Sequence, residues 1–127
     1  MAAPPTLPGP SGPPPLQPSQ ALALWHRVLV TGLNRSLPDL TTRQFALFLE
    51  VYLAPPPHTV RGLAAKLDVT KPVITRALDA MGARRLVTRH RDPKDRRNVI
   101  ISRTVEGSLY LERFADVIIA KARELPL

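Results

Sequence analysis

With 127 residues, 44% of them hydrophobic, the chain has room for one cored domain and little more. It contains no cysteine, which excludes disulfides, thiolate metal ligands and thiol-oxidation switches, and fits a reducing compartment. The net charge is +8, no run of 18 apolar residues could span a membrane, and the start lacks the basic and apolar regions of a secretory signal.

Residues 1–18 hold eight prolines, two glycines and no charge, so a disordered tail of polyproline character is expected, followed by one domain over 19–127. Ser19 or Gln20 opens a first helix, about residues 20–35. Leu22, Trp25 and Leu29 form its apolar stripe, with Leu24, Val28 and Leu33 beside it. So wide a face is expected to serve both its own domain and a second subunit. Pro38-Asp39 breaks the chain. Thr41 or Thr42 then caps a helix through Leu53, with Phe45, Phe48, Leu49 and Tyr52 inward, and Pro55-Pro56-Pro57 stops it.

His58-Thr59 fits either a short strand or the entry to a third helix, in which Val60, Leu63, Ala64 and Leu67 share one face. Asp68-Val69-Thr70 is a three-residue turn. Thr70 is a suitable N-cap for the next helix, and Pro72 in its first turn lacks only an N–H that would go unpaired anyway. Ile74, Leu78 and Met81 stack on the inner face of that helix, while Pro72, Arg76, Asp79 and Ala83 lie opposite. Two short amphipathic helices joined this tightly match a helix-turn-helix.

Leu86 to Arg89 and Val99 to Ile101 read as two strands, joined through the turn residues Asp92-Pro93-Lys94-Asp95. The tip of this hairpin reads Lys94-Asp95-Arg96-Arg97. Thr104 caps a last helix, about 105–124, with Tyr110, Phe114, Val117, Ile118 and Leu125 on its apolar stripe. Nothing remains in the chain to cover that helix except the first one, from the same chain and from a symmetry mate. The expected fold is mainly α with a small β wing.

The charge excess is local. Residues 61–103 contain twelve Lys or Arg against four Asp, which accounts for all of the +8. A basic segment between neutral flanks points to a polyanion, with nucleic acid ahead of an acidic membrane surface. Catalysis finds no foothold. His26, His58 and His90 sit on separate elements, and no His/Asp/Glu cluster has metal-ligand spacing. The close pair Asp92 and Asp95 suits turn-forming and Arg-orienting roles better than a nuclease metal site. No cofactor is expected.

For binding, Arg76 is placed to reach a guanine edge bidentately, with Lys71 and Thr75 near the same edge and Pro72 on the same face. The Thr70 hydroxyl, occupied as a cap, is expected near a phosphate. Arg97 and Arg96 suit a narrow minor groove, while Arg61, Lys66, Arg84, Arg85, Arg89 and Arg91 suit phosphates, with Lys94 in the same basic tip.

The run L-T-T-R-Q-F, then V-R-G-L-A-A-K-L-D-V-T-K-P-V-I-T-R-A-L-D-A-M, L-V-T-R-H-R-D-P-K-D-R-R-N-V-I-I and T-V-E-G resembles the MarR family of winged helix-turn-helix regulators. The likeness covers about residues 40–107, and D-P-K-D-R-R is its most specific part. It implies a homodimer in a bacterial or archaeal cytoplasm, each protomer placing the helix Thr70 to Arg84 in one half of a pseudo-palindrome. The wing-tip arginine then falls on Arg97 with Asp95 as its orienting carboxylate, and helices 20–35 and 105–124 make the dimer. Three departures stand out. Arg85 replaces a glycine where a left-handed cap is wanted, at a cost of about 1 kcal/mol. Arg61-Gly62 replaces an acidic residue at a helix N-terminus. One C-terminal helix stands where two are frequent, so the small-molecule effector pocket is expected to be incomplete.

The preferred expectation is a dimeric, sequence-specific double-stranded DNA binder that represses transcription. A winged-helix module offering its basic wing to an acidic protein is the alternative, and a small nuclease a third reading that the sparse carboxylates disfavour.

Overall fold

The computed structural model describes residues 16–35, 37 and 39–125. Its elements run α1 (Pro18–Asn34), α2 (Thr42–Leu53), β1 (His58–Thr59), α3 (Val60–Leu67), α4 (Lys71–Ala83), β2 (Val87–Arg91), β3 (Val99–Arg103) and α5 (Val105–Arg123). The chain divides into two compact units, one of residues 40–109 and one of the described parts of residues 5–39 with 110–125. The expected Pro-rich tail lies, through residue 15, outside the described residues. Pro18, assigned to that tail, instead starts α1, where its fixed φ and missing N–H suit the first helical position. The Gln20 side chain accepts the backbone N–H of Gln17 at 2.9 Å and closes that end.

The 40–109 unit is a winged helix-turn-helix. Thr41 caps α2 by accepting the Gln44 N–H at 3.1 Å, and Gln44 reaches back to the Thr41 N–H at 2.9 Å, a reciprocal capping box. The inner line of α2 is Leu47, Phe48 and Val51, fully buried, rather than the expected Phe45, Phe48, Leu49 and Tyr52. Both lines keep helical spacing. The choice between them is made by α3 and α4, which pack on α2 and which helical period alone does not locate. Thr59 caps α3 through the Gly62 N–H at 3.0 Å.

The turn into α4 depends on Asp68, held left-handed at φ 54°, with the Val69 N–H returning to the Ala64 carbonyl at 3.0 Å. Ile74, Ala77, Leu78 and Met81 of α4 are buried, as the spacing expects. The helix ends in the same way. The Leu86 N–H reaches the Met81 carbonyl at 3.0 Å, the Arg85 N–H reaches Gly82 at 2.9 Å, and Arg85 sits at φ 60°. This is the left-handed position at which a glycine was found missing.

The sheet has three strands in the order β1-β3-β2, all antiparallel, with His58 opposite Ile101 and Arg89 opposite the same Ile101 across the other edge. Thus His58-Thr59 forms a strand, and a wing expected as a hairpin is anchored to the front of α3 by a third strand. A polar hub closes the unit. The Tyr52 hydroxyl donates to the Leu86 carbonyl at 3.0 Å and accepts the Thr104 N–H at 3.0 Å. The Thr104 hydroxyl donates to the Arg85 carbonyl at 2.7 Å and caps α5 by accepting the Gly107 N–H at 2.9 Å. A Cβ on Gly107 would collide with the Tyr52 hydroxyl and the Leu86 carbonyl, so only glycine fits there. One knot therefore joins the ends of α2 and α4 to the start of α5.

In the other unit Val28 of α1 and Tyr110, Phe114 and Val117 of α5 are buried, the two rings stacked with centroids 6.4 Å apart. Much of α1 remains apolar and open: Leu22 is 71% and Trp25 51% exposed, and Leu29 and Leu33 are exposed too. On α5 the large apolar residues of this unit that stay exposed are Ile118 and Ile119. Of the residues expected to meet a partner, Tyr110, Phe114 and Val117 are already covered within the single chain. Leu22, Trp25, Leu29 and Ile118 are open. The stripe on α5 has the right period, but its first three members are used up intramolecularly.

Candidate nucleic-acid interface

The outward face of α4 is the one expected from the sequence. Thr70, Lys71, Pro72, Thr75, Arg76, Asp79 and Ala83 are all exposed, because their partners on the inner side hold the core. Thr70 occupies the N-cap position, and its carbonyl accepts the Ile74 N–H at 3.3 Å, but its hydroxyl makes no capping bond. The expected occupied cap is therefore corrected. Pro72 in the first turn removes one donor such a cap would serve, and the hydroxyl is left beside Lys71 on the exposed rim.

The wing tip is shaped by its own carboxylates. Asp92 Oδ1 accepts the Lys94 N–H at 2.9 Å, a local turn in which the side chain stands in for a backbone carbonyl. Asp95 Oδ1 accepts the Arg97 N–H at 3.2 Å. The Arg97 guanidinium then forks onto the same carboxylate, Nε to Oδ1 at 3.1 Å and Nη2 to Oδ2 at 3.3 Å. Arg97 stays 86% exposed while its direction is set. These bonds hold the Asp95 carboxyl below its ordinary range, first through the Arg97 side chain and then through its N–H; slight burial opposes the shift and the charge of Arg61 adds to it. Arg91 Nη1 donates to the Arg96 carbonyl at 2.8 Å, so Arg91 braces the loop from which Arg96 and Lys94 project into solvent.

Three further cations of the basic segment are engaged within the protein. Arg103 turns inward, donating to the Val51 carbonyl at 3.0 Å and the Ala54 carbonyl at 3.2 Å while lying over the Tyr52 ring. It closes the C-terminus of α2, where cations are favoured. His58, buried, lies 3.2 Å from the same Ala54 carbonyl. Lys66 pairs with Glu50 at 2.6 Å. Arg89, expected at a phosphate, pairs with Asp79 of α4 at 2.8 Å. Counting charges along the sequence could not separate these from the free cations, since only tertiary placement brings a carbonyl or carboxylate to them.

Among the described residues no three His, Asp or Glu side chains converge in a way that could hold a metal ion, and no helix is long and apolar enough to cross a membrane. Open hollows on this unit include one of about 230 Å³ between the end of α2 and α3, rimmed by Glu50, His58, Thr59 and Lys66.

Helix, turn, recognition-type helix and basic wing together define a winged helix-turn-helix protein. The sequence profile of the MarR family matches residues 39–98. The chain is similar in structure to the transcriptional repressor CouR bound to a 23-mer DNA duplex, at 26% identity and a TM-score of 0.65, covering 84% of this chain and 72% of that one. It is similar to the transcriptional regulator BldR from Sulfolobus solfataricus at 25% identity and a TM-score of 0.57, covering 86% of this chain and 84% of that one. An S. aureus MepR–DNA complex shares the fold at 20% identity and a TM-score of 0.69, with 84% of each chain covered. No curated protein matches the chain by sequence.

Proposed function

We propose that the chain is a homodimeric, cytoplasmic transcriptional regulator without enzymatic activity, which binds double-stranded DNA sequence-specifically and represses by occluding a promoter. On this reading α4 lies in the major groove, with Arg76 addressing a guanine edge and Lys71, Thr75 and the unbonded Thr70 hydroxyl beside it. Arg97, aimed by Asp95, enters the adjacent minor groove, and Lys94, Arg96 and Arg91 serve the backbone. The exposed apolar face of α1, with Leu22, Trp25 and Leu29, and Ile118 on α5 pair two chains. Two half-sites then fall about 34–36 Å apart.

The observation that carries this reading is a division of labour within single elements. The inner sides of α4 and the sheet are buried, whereas Arg76 and Arg97 stand in solvent, one on bare helix and one braced by a carboxylate. CouR, the 26%-identical relative in structure, is a repressor seen on a duplex, which supports the same role here. Selection of bound fragments from a random duplex pool, with sizing of the complex in solution, tests it. Enrichment of a pseudo-palindrome bound by two chains is expected, with affinity falling roughly 10³-fold between 50 and 200 mM salt if six phosphates are met. Enrichment of no sequence at all, alongside tight binding to an acidic protein, would overturn it.

A further inference from the structure

Resting on the DNA-binding reading above, we propose that Asp79 is a specificity-determining residue that restrains Arg89, withholding this cation from unselected duplexes. Three carboxylates lie between Thr70 and Arg97. Asp92 and Asp95 build the wing tip, each by accepting a backbone N–H two residues on. Asp79 forms no turn and no cap. It sits on the exposed face of α4 with Arg76 and Ala83, where a carboxylate opposite a duplex repels phosphate.

Its partner is Arg89 of β2, Nη1 to Oδ1 at 2.8 Å, with the side chains 35% and 60% exposed for Arg89 and Asp79 respectively. The other guanidinium nitrogen of Arg89 lies 3.9 Å from where a Cβ on Gly82 would stand. The guanidinium therefore lies along α4 over positions 79 and 82, and the bare glycine leaves it room. Held there, Arg89 and Asp79 present no net charge, so a duplex touching this face meets one cation fewer than the sequence contains.

An exposed ion pair is weak in water. A phosphate held close by base contacts from α4 can exchange with Asp79 for Arg89. A duplex without those contacts is held loosely and gains less from the exchange. The pair thereby subtracts more from unspecific than from specific binding.

The experiment compares the full chain with Asp79→Asn on a selected duplex and on a scrambled one, by fluorescence anisotropy across salt. Asp79→Asn is expected to bind the scrambled duplex several-fold tighter at 50 mM, with the plot of log affinity against log salt steeper by about 0.9. That advantage then shrinks by about 3.5-fold at 200 mM. The selected duplex gains less, so the ratio of the two affinities falls. Adding Arg89→Gln removes the gain, and Asp79→Ser behaves as Asp79→Asn does, each with an unchanged thermal melt. Unchanged or weakened binding by Asp79→Asn overturns the proposal, as does a gain that survives Arg89→Gln. A wild-type chain that binds neither duplex at any salt strikes the DNA reading itself. Wild-type binding with an inert Asp79→Asn strikes this inference alone.

Discussion

The two compact units of this chain solve opposite problems. In residues 40–109 apolar side chains from three helices and a sheet close over one another, and Arg76, Lys94, Arg96 and Arg97 stand outside. In the unit holding α1 and most of α5, one line of residues is buried and a second apolar line on α1 stays in water. A surface of free guanidinium groups calls for an anion, and a surface of Leu22, Trp25, Leu29 and Leu33 calls for another apolar surface. One unit closes its core internally and turns free cations to solvent. The other leaves an apolar face open on α1.

Deleting one aromatic ring in each unit puts that contrast to its sharpest test. Phe48→Ala, at a site with no exposure, should lower folding stability by about 3–5 kcal/mol in chemical denaturation. Trp25→Ala should leave the melt of a dilute, monomeric sample nearly unchanged. Its effect should appear in association instead. Paired with Leu22→Ala, it is expected to weaken the dimer by about 2 kcal/mol or more, read by sedimentation, if these residues centre the contact. Loss of monomer stability with no change in association would mean that α1 is not an interface.

Within the cationic unit, the helix and the wing should respond differently. Arg76→Ala should cost about 1–3 kcal/mol, concentrated at one base step, whereas Lys94→Ala should weaken all sequences alike and reduce the salt slope by about 1. A smaller effect of the opposite sign is expected at the end of α4. Arg85 holds φ 60°, so Arg85→Gly should stabilise the fold by about 1 kcal/mol, seen as a higher denaturation midpoint.

The smallest effect belongs to Asp95. Its folded value is depressed, so the Arg97 pairing is present above the ordinary carboxylate range and is lost as pH falls through the depressed value. In an NMR titration, Arg97→Ala should move the Asp95 carboxyl part-way back up, since the backbone N–H contact persists.

Local chemistry made much of the first unit legible before any coordinates. Thr41 and Thr104 sit where caps are needed, Ile74, Leu78 and Met81 keep helical period, and the family resemblance implies Asp95 as the carboxylate that orients Arg97. What stayed hidden depends on which elements meet. Phe48 was placed inward, but Leu47 and Val51 beside it were not, because α3 and α4 choose the face of α2. Arg103 looked like one more surface cation until the end of α2 was seen beneath it. Nothing in the spacing of Asp79 and Arg89, one on a helix and one on a strand, could pair them. Gly107 reads as ordinary until the Tyr52 hydroxyl and the Leu86 carbonyl fill the space its side chain would need.

The most direct measurement is the affinity of wild type, Arg76→Ala and Arg97→Ala for one selected duplex and its point-substituted set, at two salt concentrations. Arg76→Ala should lose preference at a single step in each half-site. Arg97→Ala should weaken binding most where the minor groove is narrow. Both variants keeping wild-type affinity and preference would mean that neither the helix nor the wing touches DNA.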